Sequence, residues 1–140
     1  MNPVSDDRPT PRAYGVALRG GRVLLVRASA LSNAPGVWWL PGGGIDWRES
    51  PTDAVVREVR EETGLTASNP RLLDVTDDVR TRTNGEVVHT IRIIYLVDVT
   101  GDEIRHEIEG STDFAQWISL ADLDTFELAP YAREAITRAT

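Results

Sequence analysis

The sequence contains no cysteine, which excludes disulfides, thiolate metal sites and cysteine nucleophiles. Histidine is nearly absent too. His89 and His106 stand alone, no third ligand accompanies either at zinc-site spacing, and both read as structural or solvated. Long hydrophobic runs are missing: Val23-Leu24-Leu25-Val26 and the stretch Ile91 to Val97, interrupted by Arg92, fall well short of the ~20 residues that cross a bilayer. The opening MNPVSDDRPTPR carries no apolar segment of the kind that directs export, so a cytoplasmic location is expected. Positive charge is also scarce. A net charge of −7 argues against nucleic acid or an anionic membrane as partner. A small phosphorylated ligand is compatible with that charge, because a divalent cation neutralises both site carboxylates and bound phosphates.

What remains is a chain of 140 residues, 41% hydrophobic, long enough for one domain with a real core. Residues 1–12 are polar, proline-rich and aperiodic, and read as a mobile tail; residues 13–140 read as a single domain. Tyr14 to Leu18 and Arg22 to Arg27 are apolar runs joined through Gly20-Gly21, the pattern of a hairpin. Val37 to Leu40 reads as a short strand in which Trp38 and Trp39 point to opposite faces, one packing and the other facing a cleft or a partner. Arg71 to Thr81 and Glu86 to Val99 flank Asn84-Gly85 as a second hairpin. The latter strand is apolar on both faces and therefore central. A short strand at Gln116 to Ile118 precedes helical pieces at Leu120 to Leu123 and Pro130 to Arg138. Strands on both sides of a central helix, with another helix at the end, imply a mixed sheet covered by helices on two faces.

The best-specified element is a helix over 51–63. Ser50 is placed to cap it, Pro51 suits its first turn, Asp53 extends the capping pattern, and Gly64 ends it. At about 100° per residue, Val55, Val56, Val59 and Thr63 share one side, while Glu58 and Glu62 fall about 40° apart on the adjacent edge, with Glu61 further round. Like charges at i and i+4 cost roughly 0.2–0.5 kcal/mol per pair, and a bound cation removes that cost. Carboxylate oxygens suit Mg²⁺ or Mn²⁺. By itself the run Arg57 to Glu62 is an ordinary solvated helix face, so its context decides.

The residues from Gly43 through Glu49, Arg57, Glu58, Val59, Glu61, Glu62 and Gly64 to Leu65 fit G-x5-E-x7-R-E-U-x-E-E-x-G-U, with U aliphatic, at every specified position. This stretch, preceded by Leu40-Pro41-Gly42, resembles the Nudix box of the Nudix hydrolase superfamily. Arg48 stands where many members have glycine. The resemblance implies an α/β fold of the Nudix type, an α/β/α sandwich around a mixed, mainly antiparallel central sheet. It also implies Mg²⁺-dependent hydrolysis of a diphosphate linkage in a nucleoside diphosphate derivative, with Mn²⁺ as a substitute cofactor.

Roles carried over by the resemblance fall on named positions. Glu58 and Glu62 are the principal metal ligands, Glu61 a further ligand or the group that orients water, and the Gly42 carbonyl a backbone ligand. Glu49 pairs with Arg57 to shape loop and helix, with a second metal contact as its alternative. Gly43 and Gly64 are conformational. A further carboxylate is expected from Glu107, Glu109 or Asp113, the last standing four residues before Trp117. Arg27, and more weakly Arg12, resemble arginines that meet substrate phosphates. Trp39 belongs to an aromatic supply, with Trp38, Trp47, Tyr95, Phe114 and Trp117, from which a base-stacking surface is drawn. The proline of the family's ADP-ribose hydrolases is not evident among residues 79 to 83. This favours a nucleoside triphosphate or a nucleotide sugar. The superfamily also includes non-catalytic ligand sensors, against which the complete glutamate set argues, and it makes a homodimer an open assembly for this chain.

Overall fold

The computed structural model describes residues 8–32, 34–106 and 110–140. Among these residues eight strands form two sheets: β1 (Thr10–Val16), β2 (Leu18–Arg19), β3 (Arg22–Ala28), β4 (Trp38–Trp39), β5 (Gly42–Gly44), β6 (Thr66–Thr81), β7 (Val87–Thr100) and β8 (Thr112–Ser119). The first sheet has the order β5-β1-β7-β6, with β1 and β7 parallel and its other pairs antiparallel. In the second, β3 pairs antiparallel with β2, β4 and β8. Helix α1 (Pro51–Thr63) and helix α2 (Pro130–Ala139) complete the fold, with a 3-10 turn at Leu120–Thr125 before α2. The α/β class with its mixed sheet is as expected.

Strand alternation explains the two cores. Along β1, Ala13 joins Val55, Val59, Tyr95 and Val97 in the cluster under α1, while Tyr14 and Val16 join Ile94, Ala132 and Ile136 under α2. In β3, Leu24 faces the first cluster and Val23 and Leu25 the second. The α1 face of β1 is built from small residues. A side chain added at Gly15 would stand 3.1 Å from Val55 and 3.2 Å from Val97, so the helix packs close to the sheet.

Helix α1 has the expected bounds. The Asp53 N–H donates to Ser50 Oγ, and Gly64 takes the left-handed conformation with its N–H to the Arg60 carbonyl. β7 is central, as its two apolar faces predict. Several strand bounds differ from the sequence reading: β8 spans Thr112–Ser119, longer than Gln116 to Ile118, and Gly42–Gly44 forms a strand the sequence did not suggest. Tyr14 does not share a hairpin with Arg22 to Arg27: β1 runs into the first sheet, the chain changes sheet near Ala17, and the hairpin about Gly20-Gly21 joins the two-residue β2 to β3. β1 also starts at Thr10, ahead of Ala13, because β7 offers partners to Thr10, Pro11 and Arg12. The outer strand β6 begins at Thr66 and carries register breaks between Ser68 and Arg71 and between Leu72 and Asp74. Leu72, Val75 and Val79 on β6 and Val87 on β7 are exposed. Among the described residues, no helix is long and apolar enough to cross a membrane.

Candidate active site

β5 brings the start of the box against the middle of α1. Gly42 pairs with Tyr14, Gly43 with Ala13 and Gly44 with Arg12. A Cβ on Gly42 would meet the Ala13 carbonyl at 2.2 Å, so only glycine fits. On Gly43 a Cβ would stand 2.7 Å from Glu58 Oε1, so that glycine makes the room the Glu58 carboxylate uses. Glu62 is buried, and its Oε1 accepts from the Gly42 N–H at 3.3 Å.

Arg57 is the hub. Its Nε donates to Glu49 Oε2 at 2.8 Å and one terminal nitrogen to Glu49 Oε1 at 2.9 Å, a two-pronged pair. The same nitrogen donates to the Gly44 carbonyl at 3.0 Å, and the other reaches Glu58 Oε1 at 3.0 Å and Glu61 Oε2 at 3.2 Å. One guanidinium thus ties the box loop to the helix and offsets the repulsion among the glutamates. Hydrogen bonds from Arg57 and from the Asp46 N–H hold the Glu49 carboxyl at about 2, well below its usual range, and those to Glu49 and Glu58 raise Arg57 above its usual value.

The loop before α1 keeps its shape without glycine at position 48. Arg48 adopts a left-handed φ of 68°, and the next residue, Glu49, delivers its N–H to the Asp46 carbonyl and its side chain to Arg57. Trp47 in the same loop is 90% exposed.

Among the described residues, no three His, Asp or Glu side chains are gathered in a metal-holding geometry. Arg57 draws Glu58 and Glu61, while Glu62 points to Gly42. The donor set nonetheless fits a hard divalent cation. Three carboxylates lie on one stretch of helix, one of them buried, and Mg²⁺ requires only one or two protein carboxylates beside water and phosphate oxygens.

Next to this cluster, on the α2 face of the first sheet, opens a cleft of about 760 Å³ whose lining includes Arg12, Tyr14, Trp39, Asp78, Arg92 and Tyr131. Arg12 and Tyr14 of the cleft pair with Gly44 and Gly42 of β5, whose glycines touch Glu58 and Glu62, so the cleft and the carboxylates adjoin. Arg12 Nε donates to the Tyr14 hydroxyl at 2.7 Å, and Arg92 pairs with Asp78 and lies 4.3 Å over the Tyr131 ring. Burial pushes the Tyr131 hydroxyl well above the ordinary tyrosine value; Tyr14 and Glu62 add to this, and the nearby arginines oppose it. Trp39 faces the cleft while Trp38 packs edge-on against Phe126, the division their alternation predicts.

Arg27 and Asp113 bond to each other at 2.8 Å on β3 and β8, beside Phe114, and neither is among the described residues lining the cleft. Glu107 and Glu109 lie outside the described residues. His89 pairs with Asp77, and His106 stacks on Phe114 and accepts the Ala115 N–H, both structural contacts. Sequence reasoning took Arg92 as a break in an apolar run and gave it no role. The signal was there, since an arginine alternating with Thr90 and Ile94 in a central strand has to face the interior.

A family model for the NUDIX domain matches residues 9–139. Nudix hydrolase 25 of Arabidopsis thaliana is 35% identical over 119 residues, covering 74% of this chain and 67% of that protein. An ADP-ribose pyrophosphatase of Methanocaldococcus jannaschii is 30% identical over 132 residues, covering 93% of this chain and 72% of that protein. Among solved structures, a MutT NUDIX hydrolase from Burkholderia pseudomallei superposes with a TM-score of 0.82 at 31% identity, covering 96% of this chain and all of that one. With the whole domain matched, and with the box residues assembled around Arg57 at the edge of the cleft, the chain belongs to the Nudix hydrolase family.

Proposed function

We propose that this protein hydrolyses a diphosphate linkage in a nucleoside diphosphate derivative, a nucleoside triphosphate or a nucleotide sugar, with Mg²⁺ as cofactor. The observation that carries the reading is the contiguity of the carboxylates around Arg57 with an arginine- and aromatic-lined cleft, through the glycines of β5. Glu58 and Glu62 would hold the metal, with Glu61 and the Gly42 carbonyl in support. The bound ion would supply charge neutralisation of the diphosphate and a lowered pKa for the attacking water. Arg57 gathers Glu58 and Glu61. Glu49 fixes Arg57. Arg12 stands where the diphosphate leaves the carboxylates for the cleft, and Trp39 offers a ring for a base or sugar face. Arg27 and Asp113, bound to each other, take no part in this assignment.

The test is phosphate and pyrophosphate release from nucleoside triphosphates, nucleotide sugars, dinucleoside polyphosphates, NADH and ADP-ribose, the last included because one relative bears that activity in its name. Metal-dependent turnover by the wild type, reduced at least ~100-fold in a folded Glu62→Gln variant, is expected. Tight ligand binding with no turnover on any member of the panel would replace the hydrolase reading with that of a ligand sensor.

A further inference from the structure

Two arginines of the cleft are direct neighbours across parallel strands: Arg12 on β1 registers with Arg92 on β7. Like charges in that position are destabilising, and here the pair is largely out of water. Arg92 is 8% exposed, and among the described residues no carboxylate stands within ion-pair distance of Arg12. The rung continues from Gly44 on β5 through Arg12 and Arg92 to Thr76 on β6. Along it the polar groups are under-satisfied. Buried atoms with no hydrogen-bond partner include Nε of Arg92, Nε of Arg82 and the Tyr131 hydroxyl, all from residues lining this one cleft, and Thr76 Oγ1 at the rung's end. Each such group is costly to leave unmet, because it has given up water and gained no partner. Arg80 adds another cation to the wall, so four arginines face two acids, Asp78 and Glu86, in a protein whose net charge is −7.

We infer that Arg92 and Tyr131 form a second anion subsite, which takes a phosphate monoester or carboxylate at the far end of the substrate from the diphosphate. The inference rests on the hydrolase reading for what occupies the first site, next to Arg12 and Glu58. Arg92 lies one strand beyond Arg12, about 5 Å across the sheet, and two strands beyond the β5 glycines, about 10 Å; the longer span, from a diphosphate held at β5 beside Glu58, is the reach of one attached sugar ring. One terminal nitrogen of the guanidinium is held by Asp78, which leaves Nε without a hydrogen-bond partner, and the Tyr131 ring under the guanidinium carries a second unmet donor in its hydroxyl. The substrate class narrows accordingly to nucleoside diphosphates linked to an acidic sugar or a sugar phosphate.

Matched ligand pairs test this: UDP-glucose against UDP-glucuronate, and ADP-ribose against ADP-ribose 5-phosphate on its free ribose. Affinities are read calorimetrically in chelator, where no turnover intervenes. The wild type is expected to favour the acidic member of at least one pair by about tenfold or more; the carboxylate and phosphate arms identify which anion is meant. Arg92→Lys, which keeps charge but loses the planar fork, should cut that preference below about threefold. Tyr131→Phe, which keeps the packed ring and removes only the unmet hydroxyl, should lower the preference while leaving stability equal or higher. Equal affinities within twofold for both pairs, no binding of any of the four, or a preference untouched by both variants would each overturn the inference. Mg²⁺-dependent hydrolysis of the neutral members without acid preference would sink the subsite alone; preference without hydrolysis would sink the hydrolase reading alone.

Discussion

Glu49 makes only one kind of strong contact, to Arg57 and the Asp46 N–H, and those contacts hold its carboxyl at about 2 in the folded protein against 4.5 as its ordinary value. A depressed folded-state value means that the unfolded chain binds the proton first. The stabilisation is therefore complete above 4.5, and is lost as pH falls from there through about 2. Urea denaturation in chelator from pH 6 to pH 2 should show an acid limb in this window that is shallower in Glu49→Gln; parallel limbs in the two proteins would mean that another carboxylate governs it. This pairing was legible from the box. The room Gly43 makes for Glu58 was not, because it depends on how β5 meets α1, and no local pattern encodes that contact.

At the level of elements, α1 was readable to the residue because all its determinants are local: Ser50, Pro51 and Gly64 act within a turn of the ends they set. Ser50→Ala should cost about 1 kcal/mol of stability, measured by thermal denaturation. Arg48→Gly should be neutral to stabilising by up to about 1 kcal/mol, since a non-glycine residue at φ 68° carries a left-handed penalty that glycine escapes and its greater unfolded-state freedom partly cancels. A clear loss in Arg48→Gly would show the arginine side chain at work in the loop. Strand partnership was the illegible part. Tyr14 and Arg22 look like one hairpin in sequence, and only the competing offer of β7 and β5 takes β1 into the other sheet. The same distant pairing sets Arg12 beside Arg92, eighty positions on, so the polar rung had no local signature at all.

For the whole molecule, all fifteen Lys/Arg-type cations are arginine and lysine is absent, so every such cation carries the planar fork suited to phosphate and carboxylate. The surplus of acid gives a field that disfavours long polyanions, while the cleft concentrates its arginines for a small one. Mg²⁺ should raise the melting temperature by mass action, roughly 2.7 kcal/mol of stabilisation at a hundred times its dissociation constant. EDTA should reverse the shift, and Glu58→Gln/Glu62→Gln should abolish it; a shift of equal size in the double variant would place the ion elsewhere.

The outer strand β6 has consequences for how the protein behaves in a crowded solution. Sixteen residues long and paired on one side only, with Leu72, Val75 and Val79 uncovered, it has the makings of a template for intermolecular strand addition. Its two register breaks interrupt the ladder that an incoming strand would have to copy, and Asp74 is ion-paired to Arg138 of α2. The irregularities of β6 thus protect the edge around Leu72, which lies between the two breaks, whereas Val75 and Val79 stand on the regular ladder from Asp74 to Thr81, the stretch of edge an incoming strand could copy.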